Sequence, residues 1–208
     1  MLPKGEEKKL TPSRLDRLVI LDTETGGLDP AVHSILSLAV VIWTPEKDED
    51  SYELMIAEPN IVAEREALLI NGIDLDKLRV EGKTPISAAT LLFNFIRRHF
   101  PASERPSLVG HNIHFDVAFL KRLFALANCE TEYDKIFSHR TLDTAGIGRF
   151  LNLAGILNVK NSSDALFTHF GIMPACATKG VGRHTALGDA KATGELLRKL
   201  IATVKEGK

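Results

Sequence analysis

The sequence has only two cysteines, Cys129 and Cys176, far apart and outside any CxxC spacing. That excludes a disulfide-built miniprotein and a cysteine zinc site, and the two read as buried thiols of a reducing compartment. It also lacks an excess of charge. With 26 basic and 27 acidic side chains the net charge of the 208 residues is −1. A protein that coats nucleic acid by non-specific charge would be strongly basic, so any grip on a phosphate backbone must be local. Long apolar runs are missing too. The longest, residues 35–43, is interrupted by Ser37 and is about half the length that spans a bilayer. Residues 1–12 are rich in Lys and Glu and carry no apolar stretch of a secretory signal. The sequence thus predicts a cytoplasmic chain without a membrane partner. A disordered tail over 1–13 precedes one domain over 14–208.

Hydrophobic residues at 44% and charged residues at 25% are ordinary globular values. The apolar run 18–21, bounded by Gly26 and Gly27, suits a strand covered on both faces. Strands are expected next at 35–43 and 52–57, with a polar turn over 45–50 between them. Apolar residues at helical spacing follow over 87–99 and stop at Pro101 and Pro106. A short strand at 107–110, a helix over 115–127, a strand at 140–143 and a final helix over 186–204 complete the pattern. Ala190, Gly194, Leu197 and Ile201 form one stripe of that last helix. Three meandering strands followed by alternating strands and helices imply an α/β fold. The basic pairs Arg97-Arg98 and Lys121-Arg122 lack interleaved aromatics and read as solvated helix faces.

Most informative are acids in apolar surroundings. Asp22 and Glu24 end the first strand at i and i+2 and point to one face. Asp116 shares its helix face with Phe119, Leu120 and Leu123, and Asp189 stands early in the last helix beside Ala186, Ala190 and Thr193. An ionised carboxylate in such a place costs several kcal/mol unless paired or metal-bound. No Lys or Arg adjoins Asp22, Glu24 or Asp116 in sequence. If the four converge, each close pair repels by roughly 3–4 kcal/mol at an effective dielectric near 20. A divalent cation removes that repulsion, and oxygen ligands select Mg²⁺ or Mn²⁺.

Three segments carry a resemblance: Asp22-Thr23-Glu24-Thr25-Gly26-Gly27-Leu28, Gly110-His111-Asn112-Ile113-His114-Phe115-Asp116, and His184-Thr185-Ala186-Leu187-Gly188-Asp189-Ala190. In this order they resemble the three motifs of the DEDDh class of 3′→5′ exonucleases, the family of the proofreading subunit of bacterial replicative polymerase and of ribonuclease T. Asn71-Gly72-Ile73 and Leu142-Asp143-Thr144 are similar to weaker signatures of the family, which often has His where this chain has Asn71. The resemblance implies a ribonuclease-H-like fold with a five-stranded mixed sheet and helices on both faces, the site lying at the end of the central strand.

It also implies a chemistry, hydrolysis of nucleic-acid ends to nucleoside 5′-monophosphates with two divalent ions roughly 3.5–4 Å apart. Asp22, Glu24 and Asp189 would hold the ion carrying the attacking water, and Asp22 and Asp116 would help hold the second. His184 is the candidate general base, since an imidazole titrates near neutral pH. Five residues of separation from Asp189 put the two about 140° apart on a helix, so His184 precedes the helix. The glycine-bearing segment 178–183 leads into it as a mobile arm. Thr25, Leu28, Ile73 and Asn112 would meet the terminal nucleotide, with the backbone of Gly26 and Gly27 reaching its sugar or phosphate and Lys179 and Arg183 holding phosphates. Asp143 would support the sheet end from behind the ligands, and His114 reads as a helix-entry residue. The expected substrates are 3′ ends of DNA or RNA, single-stranded by preference, and a DNA polymerase or a second copy of the chain is the implied protein partner. The chain stops soon after the third motif's helix, so no long polymerase-binding tail is expected. A rival reading is a non-catalytic nucleic-acid-binding or polymerase-associated module of the same fold, which would have lost at least one of these ligands.

Overall fold

The structure, a computed structural model, describes residues 17–173 and 185–206. The apolar runs become the middle of a five-stranded mixed sheet, with β1 (Leu18–Thr25), β2 (Ile35–Trp43), β3 (Asp48–Met55), β4 (Leu108–Gly110) and β5 (Thr141–Asp143) in the order β3-β2-β1-β4-β5. β1 pairs antiparallel with β2 and parallel with β4. Every residue of β2 is buried, as a strand covered on both faces requires. Val19, Leu21, Val40 and Ile42 pack under α3 (Pro85–His99) and α4 (His114–Leu126). Leu18, Ile20, Val41 and Trp43 face α8 (Ala186–Glu206) on the opposite side. α6 (Thr144–Leu153) and α7 (Ser163–Phe170) extend the α8 layer. α1 (Arg65–Asn71), α2 (Leu75–Glu81) and α5 (Glu130–Ile136) fill the connections.

One close approach sets α8 on the sheet. Trp43 Nε1 donates to the Gly194 carbonyl at 2.8 Å, and a Cβ at residue 194 would lie 3.0 Å from Trp43 Cδ1. The small stripe read from the sequence thus lets the helix axis come down onto an indole. Among the described residues no helix is long and apolar enough to cross a membrane.

Three expectations need correction. The third strand begins at Asp48, inside the segment expected to be a turn. The three acids at its start suit an exposed edge because each meets a base from elsewhere: Asp48 meets Arg198, Glu49 meets Arg17, and Asp50 meets His99. The basic pairs are not simply solvated either. Arg122 donates through Nε and Nη2 to Glu58, whose side chain is 2% exposed, and through Nη1 to the Pro30 carbonyl. Glu58 also accepts from Ser34 Oγ and Ile35 N–H. Arg97 clamps the carbonyls of Pro101 and Lys135 and lies over the Phe93 ring. Cys129 is half-buried rather than buried, and Cys176 lies outside the described residues.

The neighbouring cations should therefore differ in urea denaturation. Arg122→Ala strands a buried carboxylate and should cost about 3–5 kcal/mol. Lys121→Ala removes a cation lying over the Tyr133 ring and should cost about 1 kcal/mol or less. Equal losses would show that the Glu58 pair carries no special weight.

Candidate active site

The site begins where β4 stops accompanying β1. The two pair only at Val19–Leu108 and Ile20–Val109, so the next N–H on that edge of β1, past Leu21, belongs to Thr23 and needs another acceptor. Asp116, in the first turn of α4, supplies it. Thr23 N–H and Thr23 Oγ1 donate to Asp116 Oδ1 at 2.9 and 2.8 Å. Strand alternation turns Thr23 toward the α4 side and sends Asp22 and Glu24 to the α8 side, where Asp189 stands in the first turn. One carboxylate oxygen from each of Asp22, Glu24 and Asp189 lies within 4.8 Å of the others. Asp116 lines the same cleft, of about 230 Å³, together with His111, Phe115 and Ser163.

The cleft opposes ionisation of its own acids. Burial, then the charges of Asp116, Asp189 and Glu24, push the Asp22 carboxyl well above the usual carboxylate range. Burial pushes Asp116 up to about 7, against the two Thr23 bonds that favour its charged form. No Lys or Arg is among the described residues lining the cleft. An all-oxygen donor set under this repulsion fits a hard divalent cation, which would neutralise what the protein leaves uncompensated.

The turn between β4 and α4 is held from behind. Asn112 has a left-handed φ of 63°, and its N–H donates to Asp143 Oδ1 at 2.8 Å. The same oxygen accepts from Ala145 N–H as the cap of α6. His111 Nδ1 lies 3.0 Å from Thr144 Oγ1, and burial pushes its imidazole below the ordinary value. His111 faces the acidic cleft although nothing in the sequence distinguishes it from His114, the exposed first residue of α4.

A second hollow adjoins the first and shares Thr23, Glu24, Ile70 and Phe115 with it. Thr25, Gly27 and Leu28 form one wall. Thr25 Oγ1 donates to the Gly27 carbonyl at 2.7 Å, and Leu28 is 81% exposed. Glu64, Ala67, Ile70 and Asn71 form the other. Asn71 Nδ2 donates to the Thr25 carbonyl and its Oδ1 accepts from Ile73 N–H, so this side chain ties the walls together. Ile73 itself is not among the residues lining either hollow; Ile70, on the preceding helix, lines both. Ile70 went unread because α1 is a seven-residue helix without a buried apolar stripe. His184, Lys179 and Arg183 lie outside the described residues.

Comparison with known proteins agrees with this geometry. A family model described as Exonuclease matches residues 19–197. The chain is 30% identical over 191 residues to the 3′-5′ DNA exonuclease Cap18 of Escherichia coli, covering 91% of this chain and 94% of that protein. It is 26% identical over 196 residues to Ribonuclease T of Baumannia cicadellinicola subsp. Homalodisca coagulata, covering 88% and 82%. A DNA polymerase III subunit epsilon-like protein of Rhodobacter capsulatus is 30% identical over 210 residues, but the match spans only 27% of that longer protein. Among solved structures, E. coli Exonuclease I in complex with a dT13 oligonucleotide superposes with a TM-score of 0.75 at 16% identity, over 92% of this chain and 42% of that one. That likeness is one of fold, the ribonuclease-H-like architecture expected from the sequence. The chain belongs to the exonuclease family.

Proposed function

We propose that this exonuclease removes nucleotides from the 3′ ends of DNA or RNA as nucleoside 5′-monophosphates, with divalent ions and with His184 as general base. The observation that carries the reading is the meeting of Asp22, Glu24 and Asp189 within 4.8 Å, with Asp116 in the same cleft at the end of the central strand. The family membership and the relatives' names support the direction of digestion. No ligand of the expected set has been lost, so nothing favours the non-catalytic alternative. Association with a DNA polymerase or a second copy of the chain belongs to the same proposal.

Asp22, Glu24 and Asp189 would hold one ion, and Asp22 with Asp116 the other. When bound, two Mg²⁺ or Mn²⁺ ions supply an activated water and neutralise charge on the leaving oxygen. The chain's own residues do the rest. Leu28 and Ile70 press on the terminal base, Thr25 meets the same nucleotide, and Asn112 with the backbone of Gly26 and Gly27 reaches its sugar or phosphate. Ile73 would act behind Ile70, through the Asn71 bond. His184 accepts a proton on an imidazole nitrogen from the attacking water as the bond from phosphorus to the 3′ oxygen breaks. A single strand is the favoured substrate, because melting a paired end costs stacking energy.

Digestion of 5′-labelled single-stranded DNA and RNA with Mg²⁺ or Mn²⁺ should give a descending ladder. His184→Ala should slow it by about 10²–10⁴-fold while divalent-ion binding persists. Preferential nicking of closed circular DNA would contradict the exonuclease reading, and an unchanged His184→Ala pH–rate profile would contradict the base.

The metal-free protein should also show its stored repulsion on melting. Asp116 binds its proton more tightly folded than unfolded, so between about pH 4 and about pH 7 the folded state holds more protons. Stability is full at the acid side and falls as pH rises through that window. Millimolar Mg²⁺ should restore it near neutrality by mass action. Asp22→Asn should abolish hydrolysis yet leave the metal-free Tm equal to or above that of the wild type. A melting temperature that rises across this window, or a destabilised Asp22→Asn that still digests nucleic acid, would exclude a repelling metal site.

A further inference from the structure

The two walls of the nucleotide hollow come from different stretches of the chain, the loop leaving β1 with Gly27 and Leu28, and α1 with its preceding Glu64. His33 lies between them, its side chain 12% exposed. Its Nδ1 accepts from Asp29 N–H at 3.1 Å, and its Nε2 is 3.1 Å from Glu64 Oε1. A backbone N–H can only donate, so Nδ1 presents a lone pair and the ring proton is on Nε2, directed at Glu64. The imidazole therefore joins the backbone of one wall to a side chain of the other.

Its surroundings leave it little freedom. Gly27 rests on the ring so closely that a Cβ there would come within 2.6 Å of His33 Cγ and Cδ2. The turn below is closed by His33 N–H donating to the Asp29 carbonyl at 2.8 Å and by Ala31 N–H donating to Asp29 Oδ1 at 2.8 Å. Beside it, Glu64 N–H donates to the Gly26 carbonyl at 2.6 Å. His33 lines neither hollow, so it acts only through the residues it holds.

We infer that His33 is a positioning residue for the strand end. Its bridge to Glu64 acts with the Asn71–Thr25 and Glu64–Gly26 bonds to set the distance between the Leu28 wall and the Ile70 wall, and with it how firmly the terminal nucleotide is gripped. This rests on the exonuclease reading proposed above and deepens it. The carboxylate cluster is built by β1, α4 and α8, and His33 stands on none of these elements. Loss of the bridge should therefore weaken end binding while the bond-breaking step keeps its rate. A purely structural histidine would need only the Nδ1 contact that closes the Asp29 turn.

The two ring nitrogens separate these roles. His33→Asn keeps an acceptor near the Nδ1 position and cuts the Glu64 bridge. His33→Gln reaches the Nε2 position and keeps a donor for Glu64. Both variants and the wild type should be melted and then assayed at steady state on a single-stranded oligonucleotide with a 3′ hydroxyl, well below their Tm. The expected result is a KM raised about tenfold for His33→Asn with kcat within about twofold, and a KM within about threefold of wild type for His33→Gln. A wild-type KM for His33→Asn would overturn the inference. So would an equal fall of kcat and Tm in both variants, which would make His33 a residue of the fold alone. A wild type inactive in this assay would instead count against the exonuclease reading, and this inference would fall with it.

Discussion

Two hydrogen bonds from Thr23 to Asp116 join the halves of the candidate site. β1 brings Asp22 and Glu24 to the end of the sheet, and α8 brings Asp189 to the same face. α4 approaches from the opposite face, and its carboxylate reaches the others only because β4 leaves the edge of β1 open beyond Ile20. Asp116 fills that opening and satisfies a backbone N–H that the ladder no longer serves. The price is four acids in one half-buried cleft, with Asp22 and Asp116 both pushed toward their neutral forms. Such a cluster persists because its supports lie elsewhere, in a strand buried on both faces and in the Trp43–Gly194 contact that seats α8.

The hollow proposed to hold the terminal nucleotide is built on a separate support. Glu58 collects donors from Ser34, Ile35 and Arg122, and Arg122 reaches on to Pro30. This buried pair fastens the loop carrying Leu28 to α4, while Asn71 and His33 fasten it to α1. The acidic cleft and the hollow thus share lining residues but are held by different side-chain contacts, so under the proposed function the grip on a strand end can change without breaking the contacts that hold the carboxylates.

Much of this was legible because it obeys simple periods. The runs at 18–21 and 35–43 are apolar at nearly every position because both sheet faces are covered, and the alternation of Asp22 with Glu24 put both on one face. The polar start of β3 was not legible. Asp48, Glu49 and Asp50 look like a turn until Arg198, Arg17 and His99, distant in sequence, arrive to meet them. Arg122 was misread for the same reason, since Glu58 lies 64 residues away. The Asp143 bond to Asn112 N–H and the lining of both hollows by Ile70, with Ile73 outside them, are tertiary facts, set by a left-handed turn and by where a short helix comes to rest. The acids themselves stood out because an uncompensated carboxylate among apolar residues is costly wherever it falls.

The claim on which the chemistry depends is that Asp22 bridges two ion sites, one with Glu24 and Asp189 and one with Asp116. Anomalous scattering from crystals grown with Mn²⁺ and a nucleoside 5′-monophosphate tests it directly. Two Mn²⁺ peaks should appear, both in contact with Asp22, one also touching Glu24 and Asp189 and the other also touching Asp116. A cleft without Mn²⁺ peaks, or Mn²⁺ bound only at sites away from Asp22, would contradict it.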